Sequence, residues 1–285
     1  MPQINAKTIV CAVIGHPIGH SLSPELHNAA FAALGLPFVY VAHDVQPGHV
    51  PRALEGIRAL GYRGLSVTIP HKVEAMHCVD EVDETARGIG CINTVLNEGG
   101  RLLGYNSDGR GALNALREAG ADPSGRRVLL LGSGGAARAI AITLVREAPP
   151  AQLTILGVVV EELARLVQDT QQRGQAPVSG QMLADDVLRS EISAADIVLH
   201  CTPLGMHPHD DQCLVPAALW RAGTTVFDAV YNPRRTRLLR EAQAAGCRVV
   251  EGIEMFLGQA YVQFELWTGQ PAPRAVMRRV LEERL

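Results

Sequence analysis

The run Arg127-Val128-Leu129-Leu130-Leu131-Gly132-Ser133-Gly134-Gly135-Ala136-Ala137 constrains this chain more than any other segment. An apolar stretch without polar alternation fits a strand buried on both faces, and the small residues lead at once into a helix-forming run that extends to about Arg146. Small residues between strand and helix let backbone pass close to a pyrophosphate, and the amides of the helix N-terminus stabilise its charge. The pattern is Gly-x-Gly-Gly-Ala rather than Gly-x-Gly-x-x-Gly, so tight packing remains an alternative; the order strand, turn, helix favours a dinucleotide. A second strand at Gln152 to Leu156, a helix from about 161 to 173, and strands at Ile197 to His200, Thr225 to Ala229 and Arg248 to Val250 continue the same βα series. The segment from about 254 to 285 is helical by periodicity.

The N-terminal stretch has a similar rhythm. Ile9 to Ile14 predicts a strand ending at Gly15-His16-Pro17, then a helix over Pro24 to Leu34 capped by Ser23 with Pro24 at its first position. A strand at Phe38 to His43, a helix over roughly 47 to 60 and a strand at Gly64 to Ile69 stopped by Pro70 follow. This pattern predicts an α/β fold, with a parallel or mostly parallel sheet covered by helices. With 285 residues, one large or two ordinary domains are possible. A net charge of −3 and 4% aromatic residues leave no electrostatic footprint for nucleic acid or an anionic membrane and no base-stacking platform, so the expected partner is a small molecule. Six scattered cysteines without a Cys-x-x-Cys pair, no apolar signal core and no membrane-length apolar run suggest a reducing, cytoplasmic setting.

Three clusters carry candidate chemistry. His20-Ser21-Leu22-Ser23-Pro24 puts two hydroxyls before a helix N-terminus, a place suited to a carboxylate, although ordinary capping explains Ser23 as well. In Ser66-Val67-Thr68-Ile69-Pro70-His71-Lys72, alternation turns Ser66 and Thr68 to one side, with Lys72 just past the proline. Such an amine is either solvated or, beside a carboxylate, able to transfer a proton. The candidate carboxylate is Asp108 in Gly104-Tyr105-Asn106-Ser107-Asp108-Gly109, a composition that also describes a plain turn. It follows Ile92-Asn93-Thr94 and lies at the expected domain junction, where clefts form.

Together these residues resemble the shikimate dehydrogenase family over nearly the whole chain. Gly15 to Pro24 resembles its substrate-carboxylate motif, Ser66 to Lys72 its lysine motif, and Gly90 to Thr94 and Gly104 to Asp108 its asparagine and aspartate motifs. Gly205-Met206-His207-Pro208, Tyr231-Asn232-Pro233 and Gly252 to Gln259 continue the series in register. The resemblance implies a substrate domain over 1–108 and 254–285, a Rossmann-like domain over 109–253, and a site in the cleft between them. It implies reversible reduction of 3-dehydroshikimate by a nicotinamide cofactor, with Lys72 and Asp108 as the catalytic pair. Ser21 and Ser23 would bind the ring carboxylate, and Thr68, Asn93 and Gln259 the ring hydroxyls. Gly132, Ser133, Gly134, Gly135 and Ala136 would cradle the pyrophosphate, and Thr202 would flank the cofactor. Gly252 and Met255 would line the nicotinamide end together with Tyr231, which also counts among the substrate-binding residues.

The chain departs from the family pattern at Ser66, where many members have Asn, and at Ser107, where they have Thr. A larger departure follows the second strand of the cofactor domain. NADP-dependent members carry Asn-Arg-Thr and a further basic residue there, whereas this chain reads Gly157-Val158-Val159-Val160-Glu161-Glu162. No guanidinium is available to clamp a 2′-phosphate and Glu162 would repel one, yet no carboxylate ends the strand for an NAD ribose, so NADP and NAD both stay open. His207, His209, Asp210 and Asp211 read as a solvated loop rather than a metal site, and Cys91 as a small buried side chain. Quinate or aminoshikimate dehydrogenase, a non-catalytic sensor of the same fold, and either a monomer or a homodimer remain compatible with the residues.

Overall fold

The computed structural model describes residues 4–284. In chain order the elements are β1 (Ile9–Gly15), α1 (Ser23–Ala33), β2 (Phe38–Asp44), α2 (Val50–Ala59), β3 (Gly64–Val67), α3 (Lys72–Met76), β4 (Glu81–Val82), α4 (Glu84–Ile89), β5 (Thr94–Glu98) and β6 (Arg101–Tyr105). They continue with α5 (Asp108–Glu118), β7 (Arg127–Leu131), α6 (Gly135–Glu147), β8 (Gln152–Gly157), α7 (Val160–Gln171), β9 (Val178–Met182), α8 (Asp185–Ala194) and β10 (Ile197–His200). The last are β11 (Thr225–Asp228), α9 (Arg237–Ala244), β12 (Arg248–Val250), α10 (Gly252–Thr268) and α11 (Arg274–Glu282). Two compact units result: 1–107 with 259–285, and 108–258. The division therefore assigns Asp108, Gly252 and Met255 to the second unit.

The first unit is built on a sheet of order β2-β1-β3-β5-β6-β4. Strands β2, β1 and β3 are parallel, but β5 and β6 extend the sheet as an antiparallel hairpin, so it is mixed rather than parallel throughout. The Gly99-Gly100 pair makes the hairpin turn, both residues at positive φ, as a two-residue connection requires. Consequently the segment read as one turn from 104 to 109 is two elements: Gly104 and Tyr105 end β6, and Asp108 opens α5. Val50, Leu54 and Ile57 recur at helical spacing along α2 and pack with Ala12, Ile14, Leu65 and Val67 in one core.

The second unit has a fully parallel sheet of order β12-β11-β10-β7-β8-β9. Strand β7 is central, and its continuous apolar run feeds two cores: Val128 and Leu130 join one, Leu129 and Leu131 the other. That is why the run shows no alternation. Strand β9 and helices α8 and α9 add to the elements expected from the sequence; β9 leaves Ser179, Gly180, Gln181 and Met182 outside the buried interior and so lacks an apolar run. Among the described residues no helix is long and apolar enough to cross a membrane, and no group of His, Cys, Asp and Glu has the arrangement to hold a metal ion.

Candidate active site

In the first unit, the register brings several segments to one end of the sheet. Strands β1 and β3 run parallel and finish there, β5 starts opposite Ser66, and β6 returns with Tyr105 opposite Thr94. The loops carrying Ser21, Thr68, Lys72, Asn93 and Ser107 all leave from this end. Thr68 lies just past β3, which stops at Val67 rather than Ile69, and its amide still donates to the Ile14 carbonyl at 3.0 Å. Lys72 is the first residue of α3, half-buried, and its carbonyl accepts from Ile92 N at 3.0 Å.

The expectation that Ser23 caps α1 is corrected. Leu22 occupies the cap position and makes no side-chain bond, while Ser23 is the first helical residue and is buried. Its amide donates to Ser21 Oγ at 3.4 Å. Pro24, which has no N–H to lose at a helix start, follows it in the first turn.

Asn93 is buried and held by its neighbours. Its Oδ1 accepts from Ser107 N at 2.8 Å, Ser107 Oγ at 3.1 Å and Thr94 Oγ1 at 2.7 Å. Three donors on the carbonyl end fix the amide orientation and make Nδ2 the donor end. Gln263, absent from the sequence reading, ties this cluster to α10: Nε2 donates to Thr94 Oγ1 at 3.0 Å, and Oε1 accepts from Ser66 Oγ at 3.0 Å. Ser66 in turn accepts from Tyr40 Oη at 2.6 Å. Ser66 is thus spent on an internal network rather than displayed at the strand end. Gln259 sits one turn before Gln263 on the same helix face. Beneath the network His27 is fully buried, stacked on Tyr40 with ring centroids 4.6 Å apart, and burial pushes its imidazole down to about 3. Burial likewise drives the Tyr40 phenol upward.

In the second unit, Asp108 is the first residue of α5 and is half-buried. Gly132 follows β7 at φ +114°, and a Cβ there would stand 2.8 Å from the Cys201 carbonyl oxygen and 3.3 Å from Thr202 Cγ2. Gly134 caps α6 without a side-chain bond, and a Cβ on Gly134 or Gly135 would project into open space. Ala136 follows in the first turn. Bare amides at the start of a 13-residue helix, approached over glycines that leave room in front of them, fit a dinucleotide pyrophosphate.

Gly157 ends β8, where a Cβ would come within 3.2 Å of Ser133 Oγ and 3.3 Å of Leu163 Cβ. The bare position lets Ser133 close over the strand end, where Ser133 Oγ donates to Glu162 Oε2 at 3.3 Å. Val158 and Val160 beside it are 69% and 58% exposed, so this edge presents apolar side chains and a carboxylate.

Thr202 follows β10, and its hydroxyl lies 2.6 Å from His200 Nε2. Tyr231 follows β11 and meets Phe256 with the rings tilted by 35° and their centroids 5.5 Å apart, and partial burial pushes its phenol up. Gly252 opens α10, and a Cβ there would overlap the Val230 carbonyl oxygen at 2.5 Å, so α10 begins against the loop that carries Tyr231. Met255 packs against the larger core of this unit. His207 and Asp210 make an exposed pair at 3.3 Å.

Comparison with known proteins converges on one family. The shikimate dehydrogenase substrate binding domain matches residues 13–95, and the shikimate 5′-dehydrogenase C-terminal domain matches residues 252–282. The chain is 46% identical to shikimate dehydrogenase (NADP(+)) of Moorella thermoacetica, covering 99% of this chain and 96% of that protein. It is 43% identical to the protein of the same name from Methanopyrus kandleri, covering 99% and 98%. Among solved structures, shikimate 5-dehydrogenase of Listeria monocytogenes in complex with shikimate and NAD superposes with a TM-score of 0.94 at 34% identity, covering 99% of each chain.

Proposed function

The chain belongs to the shikimate dehydrogenase family, oxidoreductases acting on a CH–OH group, and from that premise we infer which of its residues carry the reversible reduction of 3-dehydroshikimate to shikimate. The observation that supports this reading most is the immobilised Asn93 amide, whose Nδ2 is oriented as a donor toward a ring hydroxyl by three bonds to Oδ1. Ser21 and Ser23 offer hydroxyls to the ring carboxylate, and the Thr68 hydroxyl and the Gln259 amide serve the remaining ring hydroxyls. A nicotinamide dinucleotide held there would supply the hydride donor or acceptor for the ring carbon. Lys72 Nζ accepts the hydroxyl proton during oxidation and returns it during reduction, while the Asp108 carboxylate orients that hydroxyl and favours the ammonium form. Gly132 to Ala136 bind the pyrophosphate through backbone, and Thr202, Tyr231, Gly252 and Met255 attend the nicotinamide half.

The cofactor is a nicotinamide dinucleotide, and the β8 end bears on which one. Relatives are named for NADP(+), while the Listeria protein was solved with NAD. Here Val158 offers no cation and Glu162 lies against Ser133, so a 2′-phosphate would meet a carboxylate. A free ribose hydroxyl could instead donate to it. We read the chain as using NAD(H) at least as well as NADP(H). The six free thiols suit a reducing compartment, and the cytoplasm fits that setting.

The test follows reduced-nicotinamide absorbance with shikimate or quinate and each oxidised dinucleotide. Turnover of shikimate, with NAD+ matching or exceeding NADP+ in kcat/KM, is expected. Turnover of quinate alone overturns the substrate, and strict NADP+ dependence overturns the reading of the β8 end.

A further inference from the structure

At the C-terminal end of the second unit's sheet, a buried chain of polar groups leads to Thr202. His200 and Asp228 are the last residues of β10 and β11 and are direct partners in the parallel register. Both are buried, at 1% and 0% exposure. His200 Nδ1 lies 2.8 Å from Asp228 Oδ1, and His200 Nε2 lies 2.6 Å from Thr202 Oγ1. The carboxylate is held in turn: Oδ1 accepts from Val230 N at 3.0 Å and Oδ2 from Thr236 Oγ1 at 2.6 Å. Thr236 also caps α9, so the carboxylate is tied to a helix start as well as to a strand end. A network closed at every donor is rigid, and a buried carboxylate beside Nδ1 selects the tautomer that carries the proton there.

The last member faces the glycine-rich turn. A Cβ at Gly132 would lie 3.3 Å from Thr202 Cγ2, so Thr202 stands beside the turn that fits a pyrophosphate. Its strand is on the opposite side of β7 from β8, the strand whose end marks the adenosine ribose in dinucleotide folds. Thr202 therefore belongs to the nicotinamide half.

Thr202 Oγ1 also accepts from Leu204 N at 3.3 Å, which leaves it one lone pair. We propose that Asp228 and His200 act as positioning residues that set the direction of the Thr202 hydroxyl, so that it presents this remaining lone pair to a hydroxyl of the nicotinamide ribose. With Nδ1–H given to Asp228, neutral His200 has Nε2 as its acceptor. The Thr202 proton points inward to it, and the outward side of Oγ1 accepts. This rests on the dinucleotide reading above, and it adds two residues that need not touch the cofactor.

The experiment measures the Kd of NAD+ and NADP+ by calorimetry for the whole enzyme in a double-mutant cycle. His200→Asn keeps a donor at the place of Nδ1 for Asp228 but removes the arm that reaches Thr202, and Thr202→Val removes the hydroxyl at nearly constant volume. Each single change is expected to weaken binding about tenfold, the worth of one oriented hydrogen bond, and the double variant to bind like Thr202→Val alone. Thr202→Ser, which retains the hydroxyl, should bind within about twofold of wild type. Additive losses would mean that His200 acts only on the fold and would overturn the relay. A wild type that binds neither dinucleotide would overturn the functional reading itself. Ring nitrogen shifts of His200 by NMR give a readout that needs no variant: the neutral Nδ1–H form is expected, and an imidazolium or an Nε2–H form would contradict the proposal.

Discussion

The two units build their candidate ligand regions from different materials. In the first, the candidate substrate end is made of side chains locked by other side chains, as Asn93 is by Ser107 and Thr94, and Thr94 by Gln263. In the second, the turn that fits the pyrophosphate is bare backbone, with glycines at 132, 134 and 135 and no side-chain cap on α6. The contrast follows from what is recognised. A ring bearing several hydroxyls is told from its analogues by fixed donors and acceptors, whose mismatch leaves buried groups unpaired. A diphosphate presents the same charge in every dinucleotide, and close amides suffice for it. On the proposed reading, discrimination in the second unit falls to the ribose edges, at Glu162 and at Thr202.

The largest expected effect separates the two regions outright. Lys72→Ala should lower turnover by roughly 10²–10⁴-fold, the usual worth of a proton-transfer group, with melting temperature and NAD+ affinity unchanged. A parallel loss of dinucleotide affinity, by calorimetry, would break the division. Next come the glycines. Gly132→Ala forces a side chain to φ +114° and against the Cys201 carbonyl, and should destabilise by about 1–3 kcal/mol in denaturant titrations. Gly134→Ala should leave stability intact but weaken dinucleotide binding, because its methyl enters the open space before α6. Equal stability losses in the two variants would contradict the cradle.

The third prediction concerns the first unit alone. His27 is held down to about 3 by burial, against an ordinary 6.5, so the unfolded chain takes up this proton first on acidification. Its contribution to stability is present above about pH 6.5 and declines as pH falls toward about 3, amounting to about 2 kcal/mol by pH 5. His27→Phe should flatten that acid slope in denaturant titrations at a series of pH values; an unchanged slope would assign acid sensitivity elsewhere. The smallest effect is expected at the exposed β8 edge. Val158→Arg should shift the kcat/KM ratio toward NADP+ by about tenfold without changing stability, through one charge-assisted bond to the 2′-phosphate. An unchanged ratio would place the ribose elsewhere.

The same contrast governs how much the residue order reveals. The strand, turn and helix around Gly132 are legible because each local preference agrees with the fold, and β10 and β12 end where the apolar runs end. The β5–β6 hairpin is hard to see in the residue order although Gly99-Gly100 marks it, because the polar run that follows resembles a turn. Gln263 and Ser66 could not be paired from the sequence, since 197 residues separate them and only the fold joins them. His200 and Asp228 sit in apolar strands 28 residues apart, and only the register makes them partners. The glycine at 157 has a steric reason that only the fold shows: Ser133 and Leu163 occupy the space a side chain would fill.

On the proposed reading, a hydride moves between the 3-position of shikimate and a nicotinamide ring while Lys72 handles the proton. Shikimate carrying deuterium at that carbon, incubated with the enzyme and NAD+ or NADP+, tests it directly. Mass spectrometry is expected to find the deuterium in the reduced dinucleotide, with 3-dehydroshikimate as the other product and almost none formed by Lys72→Ala. A reduced dinucleotide without the label, or no reduction with either dinucleotide, would contradict it.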